Sequence, residues 1–105
     1  MSVDLQRLIA TITAAVEILE SDGETHWRAW LTRIRIDLEA GDLSGAKELL
    51  SGYGGMGSFN DLVLGQTTRD GKFAWKEDAR QLNERFNPIR SRMWQLATNL
   101  KNHDE

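Results

Sequence analysis

The stretch WKEDARQLNERFNPIRSRMWQLATNL, residues 75–100, holds the longest regular pattern of apolar residues in the chain. Because an α-helix turns by about 100° per residue, apolar positions that alternate spacings of four and three stay on one face. The pattern predicts a long amphipathic helix that packs against other helices. Its inward positions are Trp75, Ala79, Leu82, Phe86, Ile89, Met93, Leu96 and Leu100.

Pro88 lies inside this pattern. Proline has no N–H to donate to the carbonyl of Glu84, so the helix is expected either to kink at Pro88 or to restart with Asn87 as its cap. The apolar spacing continues across Pro88, which favours a kink within one helix. The polar residues 101–105 that follow predict a frayed tail.

Three shorter helices are predicted in the first half of the chain, at 3–21, 25–40 and 43–52. The third helix should point Leu43, Ala46, Leu50 and Tyr53 inward. Gly41 and Asp42 form the corner before it. Glycine adopts the positive φ that ends one helix, and aspartate accepts hydrogen bonds from free N–H groups of the next.

The segment SGYGGMGSFNDLVLGQ, residues 51–66, contains five of the nine glycines in the chain. We expect Gly54 and Gly55 to end the third helix, and Gly57 to let the backbone pass close to a neighbouring helix. The glycine spacing also matches the letters of the dinucleotide-binding motif G-x-G-x-x-G. No βαβ unit surrounds it, so the sequence predicts no nucleotide cofactor.

The other residues of this loop allow two interpretations. In the first, Met56 and Phe59 fill the core, while Ser58, Asn60 and Asp61 bond to nearby backbone N–H groups as turn residues do. In the second, these three polar side chains present a site to a small molecule or a partner, because loops on rigid scaffolds often carry function.

The segment 54–74 links the loop to the long helix. Its TTR and KF runs flank an Asp-Gly pair, which favours a small hairpin, with an ordered loop as the alternative. Residues 1–105 are therefore expected to form a single, mostly α domain. It is a bundle of about four helices with a Gly-rich loop, a possible short β-hairpin and a long, Pro-kinked C-terminal helix.

The run GD-x-x-GA-x-x-LLS-x-YGGMGSFNDLVL resembles the signature of a family of small bacterial proteins of unknown function. In that family a Trp-containing helix precedes the run and a helical tail follows it, so the resemblance extends from Trp27 to about Leu100. The resemblance implies a bacterial cytoplasmic domain and no assigned catalytic activity.

Composition disfavours several function classes. The chain has no cysteine, so it has neither disulfides nor thiol chemistry, which fits a reducing cytoplasm. His26 and His103 are the only histidines, and no metal-ligand spacing surrounds them. No apolar run is long enough for a membrane helix. The net charge of −3 argues against nucleic-acid binding, although residues 69–92 carry seven basic side chains against four acidic ones.

Two apolar residues are not explained by a simple bundle. Trp94 lies off the inward face of the long helix, and Ile36 points away from the face that carries Trp27. Either another helix or the segment 54–74 covers these two side chains, or they form a partner or dimer surface. Arg90 lies near Trp94, and arginine beside tryptophan is typical of interfaces. Trp27 and Trp75, in contrast, fall on inward faces and are expected in the core.

These observations favour a non-enzymatic protein-binding domain, such as an immunity-type or adaptor protein, with an unidentified protein partner or self-association. Its candidate binding residues are Trp94, Arg90, Ile36, Ser58, Asn60 and Asp61. The alternative is a small-molecule-binding or enzymatic site on the Gly-rich loop. We expect neither a metal nor a cofactor.

Overall fold

A computed structural model describes residues 2–54 and 56–103 and shows four α-helices with one small antiparallel hairpin. The helices are α1 (Val3–Asp22), α2 (Thr25–Glu39), α3 (Ser44–Ser51) and α4 (Ala79–His103). The strands are β1 (Gln66–Arg69) and β2 (Lys72–Trp75), and a turn of 3-10 helix covers Phe59–Asp61. This mostly α architecture confirms the predicted fold class, and the hairpin interpretation of the linking segment is correct.

The four helices share one hydrophobic core. Helix α1 packs against α2 and α4, and α3 packs against the same two helices. The largest fully buried side chains come from every helix and from two segments between helices: Leu8, Ile12, Leu19, Leu31, Ile34, Leu38, Leu49, Phe59, Leu64, Phe86 and Met93. Burial of these side chains is the main favourable term that holds the helices together.

Glycines end the first two helices. Gly23 and Gly41 have φ angles of 79° and 83°. Beyond α2, the N–H of Gly41 donates to Leu38 O at 3.0 Å and that of Asp42 donates to Asp37 O at 2.9 Å. This is the Schellman arrangement, which satisfies carbonyls that the helix leaves free. The carboxylate of Asp42 then accepts a hydrogen bond from Ser44 N at 3.0 Å. One short corner thus ends α2 and satisfies the first N–H of α3, whose N-cap position is Leu43.

Helix α3 is shorter than predicted. It ends at Ser51, so the expectation that Gly54 ends it is wrong, and Gly55 lies outside the described residues. Gly52 follows the helix directly, and a Cβ there would lie 2.5 Å from an atom of the Trp30 ring. The close approach of Trp30 therefore requires a residue without a side chain at position 52.

Helix α4 is one continuous helix that contains Pro88, so the alternative of a restart at Asn87 is wrong. It begins at Ala79, and the expectation that Trp75 lies on its inward face is also wrong. Trp75 is the last residue of β2 and is 52% exposed. The helix continues through His103, so residues 101–103 are helical, and residues 104–105 lie outside the described part of the chain.

Candidate functional site

Phe59 anchors the glycine-rich loop, which we define as residues 52–62, in the hydrophobic core. Phe59 is fully buried, which agrees with the expectation that it fills the core. Its ring contacts Trp27, Trp30, Tyr53 and Phe86 at centroid distances of 5.4, 5.3, 5.5 and 5.8 Å, in tilted or edge-on geometry. Aromatic pairs favour such arrangements, so Phe59 joins the loop to α2 and α4.

Arg90 fastens the loop to α4. Its guanidinium donates hydrogen bonds to the carbonyl oxygens of Phe59 at 3.0 Å and Leu62 at 2.7 Å, and it lies 5.2 Å from the centre of the Phe86 ring. The carbonyl of Arg90 in turn accepts a hydrogen bond from Tyr53 Oη at 2.6 Å. Burial lowers the pKa of Arg90 and raises the pKa of Tyr53. Arg90 therefore holds the loop through Nη1, while its Nη2 donates to Asn87 Oδ1 on the same helix at 2.9 Å.

The tip of the loop turns at Gly57, whose φ is 75° and whose N–H donates to Asp61 Oδ2 at 3.1 Å. No described atom lies within 4 Å of where its Cβ would be, so the expected close approach to a helix is wrong, and glycine serves the turn alone. Met56 is 94% exposed, so its expected burial is wrong too. Ser58 Oγ is buried and has no hydrogen-bond partner among the described residues.

The structure brings together two of the candidate binding residues. Asn60 and Trp94 line a hollow of about 220 Å³ together with Tyr53 and Ser91, which we call the Trp94 hollow. Trp94 is 45% exposed there. Ile36 is 60% exposed on α2 and does not line this hollow. Of the three loop residues proposed as a site, Asn60 therefore shares a concave surface with an exposed aromatic ring.

Two long-range polar links fix the segment 62–76 on the helices. Asp22 Oδ1, at the end of α1, accepts hydrogen bonds from Gly65 N at 3.0 Å and from Lys76 Nζ at 3.2 Å. Asn83 of α4 hydrogen-bonds to the N–H and the carbonyl of Leu64 at 2.8 and 2.9 Å. Sequence reasoning missed these anchors, because nothing in the local pattern indicates a partner 19 to 54 residues away.

The hairpin carries the most exposed aromatic pair of the described residues. Phe73 and Trp75 are 61% and 52% exposed, and their rings meet edge to face at a centroid distance of 5.1 Å. They lie two residues apart in β2, so both point to the same face of the hairpin. We call β1, β2 and the turn between them the aromatic hairpin. Asp70 and Gly71 form that turn with φ angles of 51° and 75°.

The outer edge of β2 has no partner in the described part of the chain. The register pairs Gln66 with Trp75, Thr67 with Ala74, Thr68 with Phe73 and Arg69 with Lys72. Around a two-residue turn, the pair next to the turn and every second pair after it exchange hydrogen bonds. The N–H and C=O groups of Phe73 and Trp75 consequently point away from β1, and no described hydrogen bond reaches them.

A signal for this surface was present in the sequence. The run Phe73-Ala74-Trp75 follows an Asp-Gly pair and alternates large with small, which is typical of a strand after a hairpin turn. The four-residue step from Trp75 to Ala79 fits helical spacing equally well, so the apolar pattern of the long helix also includes Trp75. The long-range bond from Lys76 N to Gly65 O, at 2.7 Å, extends the hairpin and decides between the two.

Residues 20–72 match the model of a domain of unknown function, DUF6966, which is half of the chain. The chain belongs to the DUF6966 family. The DUF6966 match runs from the end of α1 to the start of β2 and includes the glycine-rich loop, which confirms an uncharacterised family. No curated protein and no solved structure matches the chain.

Two further findings concern the described residues of this DUF6966 protein. They contain no group of three or more histidine, cysteine, aspartate or glutamate residues arranged to hold a metal ion. Among the same residues, no helix has the length and apolar character needed to cross a membrane.

Proposed function

We propose that this domain binds proteins and catalyses no reaction, and that its binding surface is the aromatic hairpin. The observation that carries the proposal is the exposure of Phe73 and Trp75, two large rings held against each other outside the core. Aromatic residues are enriched among those that dominate binding energy at interfaces. The partner adds an extended strand along β2, because a strand with outward N–H and C=O groups is a template for pairing.

The surroundings of the buried polar groups support binding rather than chemistry. Arg90, Asn83 and Asp22 each hydrogen-bond to the main chain of the loop or of the segment that leads to the hairpin. Their remaining bonds go to other groups of the same chain, namely Asn87 Oδ1, Ala79 O and Lys76 Nζ. The hydroxyl of Tyr53 donates to a main-chain carbonyl, and burial raises its pKa. A raised pKa disfavours the ionised form that a tyrosine general base requires.

We further propose that the domain is an immunity-type or adaptor protein of the bacterial cytoplasm. The support is an analogy of size, charge and fold, and not of a shared motif: the chain has 105 residues, a net charge of −3 and a mostly helical fold. The absence of cysteine fits a reducing compartment.

The test is capture from native extract with matched variants, followed by reconstitution from purified components. The double variant Phe73→Ser/Trp75→Ser removes both exposed rings. The control, Val3→Ser, removes a side chain that is similarly exposed at the start of α1. We expect wild type and Val3→Ser to bind one protein, the double variant to lose it, and all three to melt alike, because the substituted side chains lie outside the core.

The purified pair must then form a complex of fixed stoichiometry. A protein that binds the double variant as well as wild type, or that fails to bind the purified domain, would contradict the assignment of the surface.

A second candidate function is small-molecule binding in the Trp94 hollow. The observation that favours it is that Asn60 and the exposed Trp94 line the same concave surface. A ligand there would raise the melting temperature of wild type in proportion to the logarithm of its concentration, and Asn60→Ala would remove the shift. The double hairpin variant would keep it, which separates the two candidates.

A further inference from the structure

The outer edge of β2 carries opposite charges at its two ends. Lys72 is the charged residue at the tip of the strand, and Glu77 and Asp78 follow the strand at its base; all three are exposed. Asp70 is also exposed at the tip, but it lies in the turn and outside the paired strands. Lys76 lies between Lys72 and Glu77, but its ammonium group is bonded to Asp22. Lys72, Glu77 and Asp78 form no ion pair with the part of the chain that the structure describes.

This distribution makes the edge complementary to itself. When two identical strands pair in antiparallel orientation, the tip of each lies beside the base of the other. Lys72 of one copy then approaches Glu77 and Asp78 of the other, and the twofold axis repeats this contact at the opposite end. In parallel orientation like charges would meet, which is unfavourable. The edge therefore favours a second, antiparallel copy.

We propose that the partner of the aromatic hairpin is a second copy of this chain, paired β2 to β2 in a four-stranded antiparallel sheet. The inference rests on the proposed function, since it names the partner for the same surface. Pairing would satisfy the outward N–H and C=O groups of Phe73 and Trp75. It would also bring the four rings of the two copies onto one face of the sheet, where cross-strand aromatic pairs are stabilising.

The other edge of the hairpin does not offer the same match. Strand β1 has Arg69 at its tip, but the residues before its base, Val63, Leu64 and Gly65, carry no charge. Antiparallel pairing of two β1 edges would therefore leave the arginines without acidic partners. The charge pattern selects β2 as the edge that pairs.

Single-stranded nucleic acid is the competing occupant. Exposed rings such as Phe73 and Trp75 stack on bases, and Arg69 and Lys72 would attract phosphates. Glu77 and Asp78 lie at the other end of the same short strand and would repel the backbone as it continued. A second copy offers opposite charges to both ends of β2, whereas a nucleic acid would be attracted only to the basic tip.

The expected dimer is weak and reversible. Two four-residue strands and their rings bury less area than a standard interface of about 800 Å² per partner, so we expect a dissociation constant of about 1–100 μM. Analytical ultracentrifugation of the full chain over a range of concentrations measures it directly. The double variant Phe73→Ser/Trp75→Ser should stay monomeric at concentrations where wild type is mostly dimeric.

Reversing the charges at the two ends of β2 tests the proposed contact between copies most directly. Lys72→Glu and the double variant Glu77→Lys/Asp78→Lys should each weaken self-association by about tenfold or more, because like charges then meet at both ends. Mixed together, the two variants should form a heterodimer about as tight as the wild-type dimer. Lys47→Glu, which reverses an exposed lysine of α3, should change nothing. Circular dichroism of each variant verifies that the fold is kept.

Three results would overturn the inference. The first is a wild-type chain that remains monomeric to about 1 mM, well above the expected range. The second is a mixture of the two charge variants that stays monomeric. The third is binding of a labelled single-stranded oligonucleotide that weakens steeply with salt and is lost in the Phe73→Ser/Trp75→Ser variant. If the chain is monomeric but forms a purified complex with another protein through the hairpin, the dimer inference is wrong and the proposed function stands. If the chain is monomeric and forms no such complex, the proposed function is wrong as well.

Discussion

The side-chain amide of Asn83 in α4 hydrogen-bonds to both backbone polar groups of Leu64. Its Oδ1 accepts from Leu64 N at 2.8 Å, and its Nδ2 donates to Leu64 O at 2.9 Å. Leu64 is 1% exposed, so without this amide its buried N–H and C=O would need other partners. One helical side chain thus takes the place of a neighbouring strand and holds the chain where it leaves the glycine-rich loop.

We therefore expect Asn83→Ala to lower the free energy of unfolding by about 1–3 kcal/mol, since it leaves buried main-chain groups unpaired. Asn83→Asp should lose a similar amount, because a carboxylate has no N–H for the Leu64 carbonyl. Chemical denaturation measures both. Asn102→Ala, at an exposed position of the same helix, serves as control. Equal stability of Asn83→Ala and wild type would show that water replaces the amide at no cost.

Gly65 should be the glycine least tolerant of alanine. Its φ is 85°, and a Cβ there would lie 2.2 Å from Cβ of Ala79, the first residue of α4. Both the backbone conformation and the contact oppose a side chain, so Gly65→Ala should cost clearly more than about 1 kcal/mol. Gly57→Ala, which has a positive φ but open space, should cost about 1 kcal/mol.

Gly54→Ala is the matched control, because no described atom lies within 4 Å of its Cβ position and its φ is not positive. The three melting curves should rank Gly65→Ala lowest and Gly54→Ala closest to wild type. A reversed order of the Gly65 and Gly57 variants would mean that α4 moves away from Gly65 easily.

The inward face of α4 is expected to carry much of the stability. Leu82 and Phe86 are 4% and 0% exposed, and each contributes to the shared core. Leu82→Ala and Phe86→Ala should each lower the free energy of unfolding by about 2–5 kcal/mol, whereas Gln81→Ala on the exposed face should be nearly neutral. Losses below about 1 kcal/mol at both core sites would contradict the packing described for this helix.

Asp42 should make stability depend on pH in the acid range. Hydrogen bonds from the side chain and the backbone N–H of Ser44 lower the pKa of Asp42 below its ordinary value of 3.8. A carboxyl whose pKa is lower in the folded state stabilises the fold above its unfolded pKa, and the contribution is lost as pH falls through the folded pKa. Thermal melts below pH 4 should therefore show a loss that Asp42→Asn lacks, although asparagine still caps α3.

Tyr53 should have the opposite effect at alkaline pH. Burial raises its pKa above the ordinary value of 10.0. The contribution of the Tyr53 phenol to the free energy of unfolding is complete below pH 10. It is lost as pH rises further, because the phenol then ionises in the unfolded chain but stays protonated in the folded one. Wild type should lose stability above pH 10 more steeply than Tyr53→Phe. Parallel curves for the two proteins would mean that the hydroxyl ionises without unfolding.

The sequence by itself determined the elements whose causes are local. The alternating apolar spacing of α4 from Ala79 onward is present in the printed chain, and so are the helix-ending glycines Gly23 and Gly41 and the turn at Asp70-Gly71. Each depends on residues within about one or two helical turns, through backbone conformation, side-chain periodicity or a nearby cap. For this reason the fold class could be predicted before any contact between elements was known.

Tertiary structure decided which face the remaining residues turn to. The spacing of Trp75 fits a helical face and a strand equally well. Its pairing with Gln66, extended by the bond from Lys76 N to Gly65 O, assigns it to the exposed hairpin. Met56 and Phe59 are both apolar loop residues. Phe59 is buried because four aromatic side chains surround it, whereas Met56 is exposed. Contacts between residues far apart in the chain settle such choices, because the local backbone preference is too weak to distinguish them.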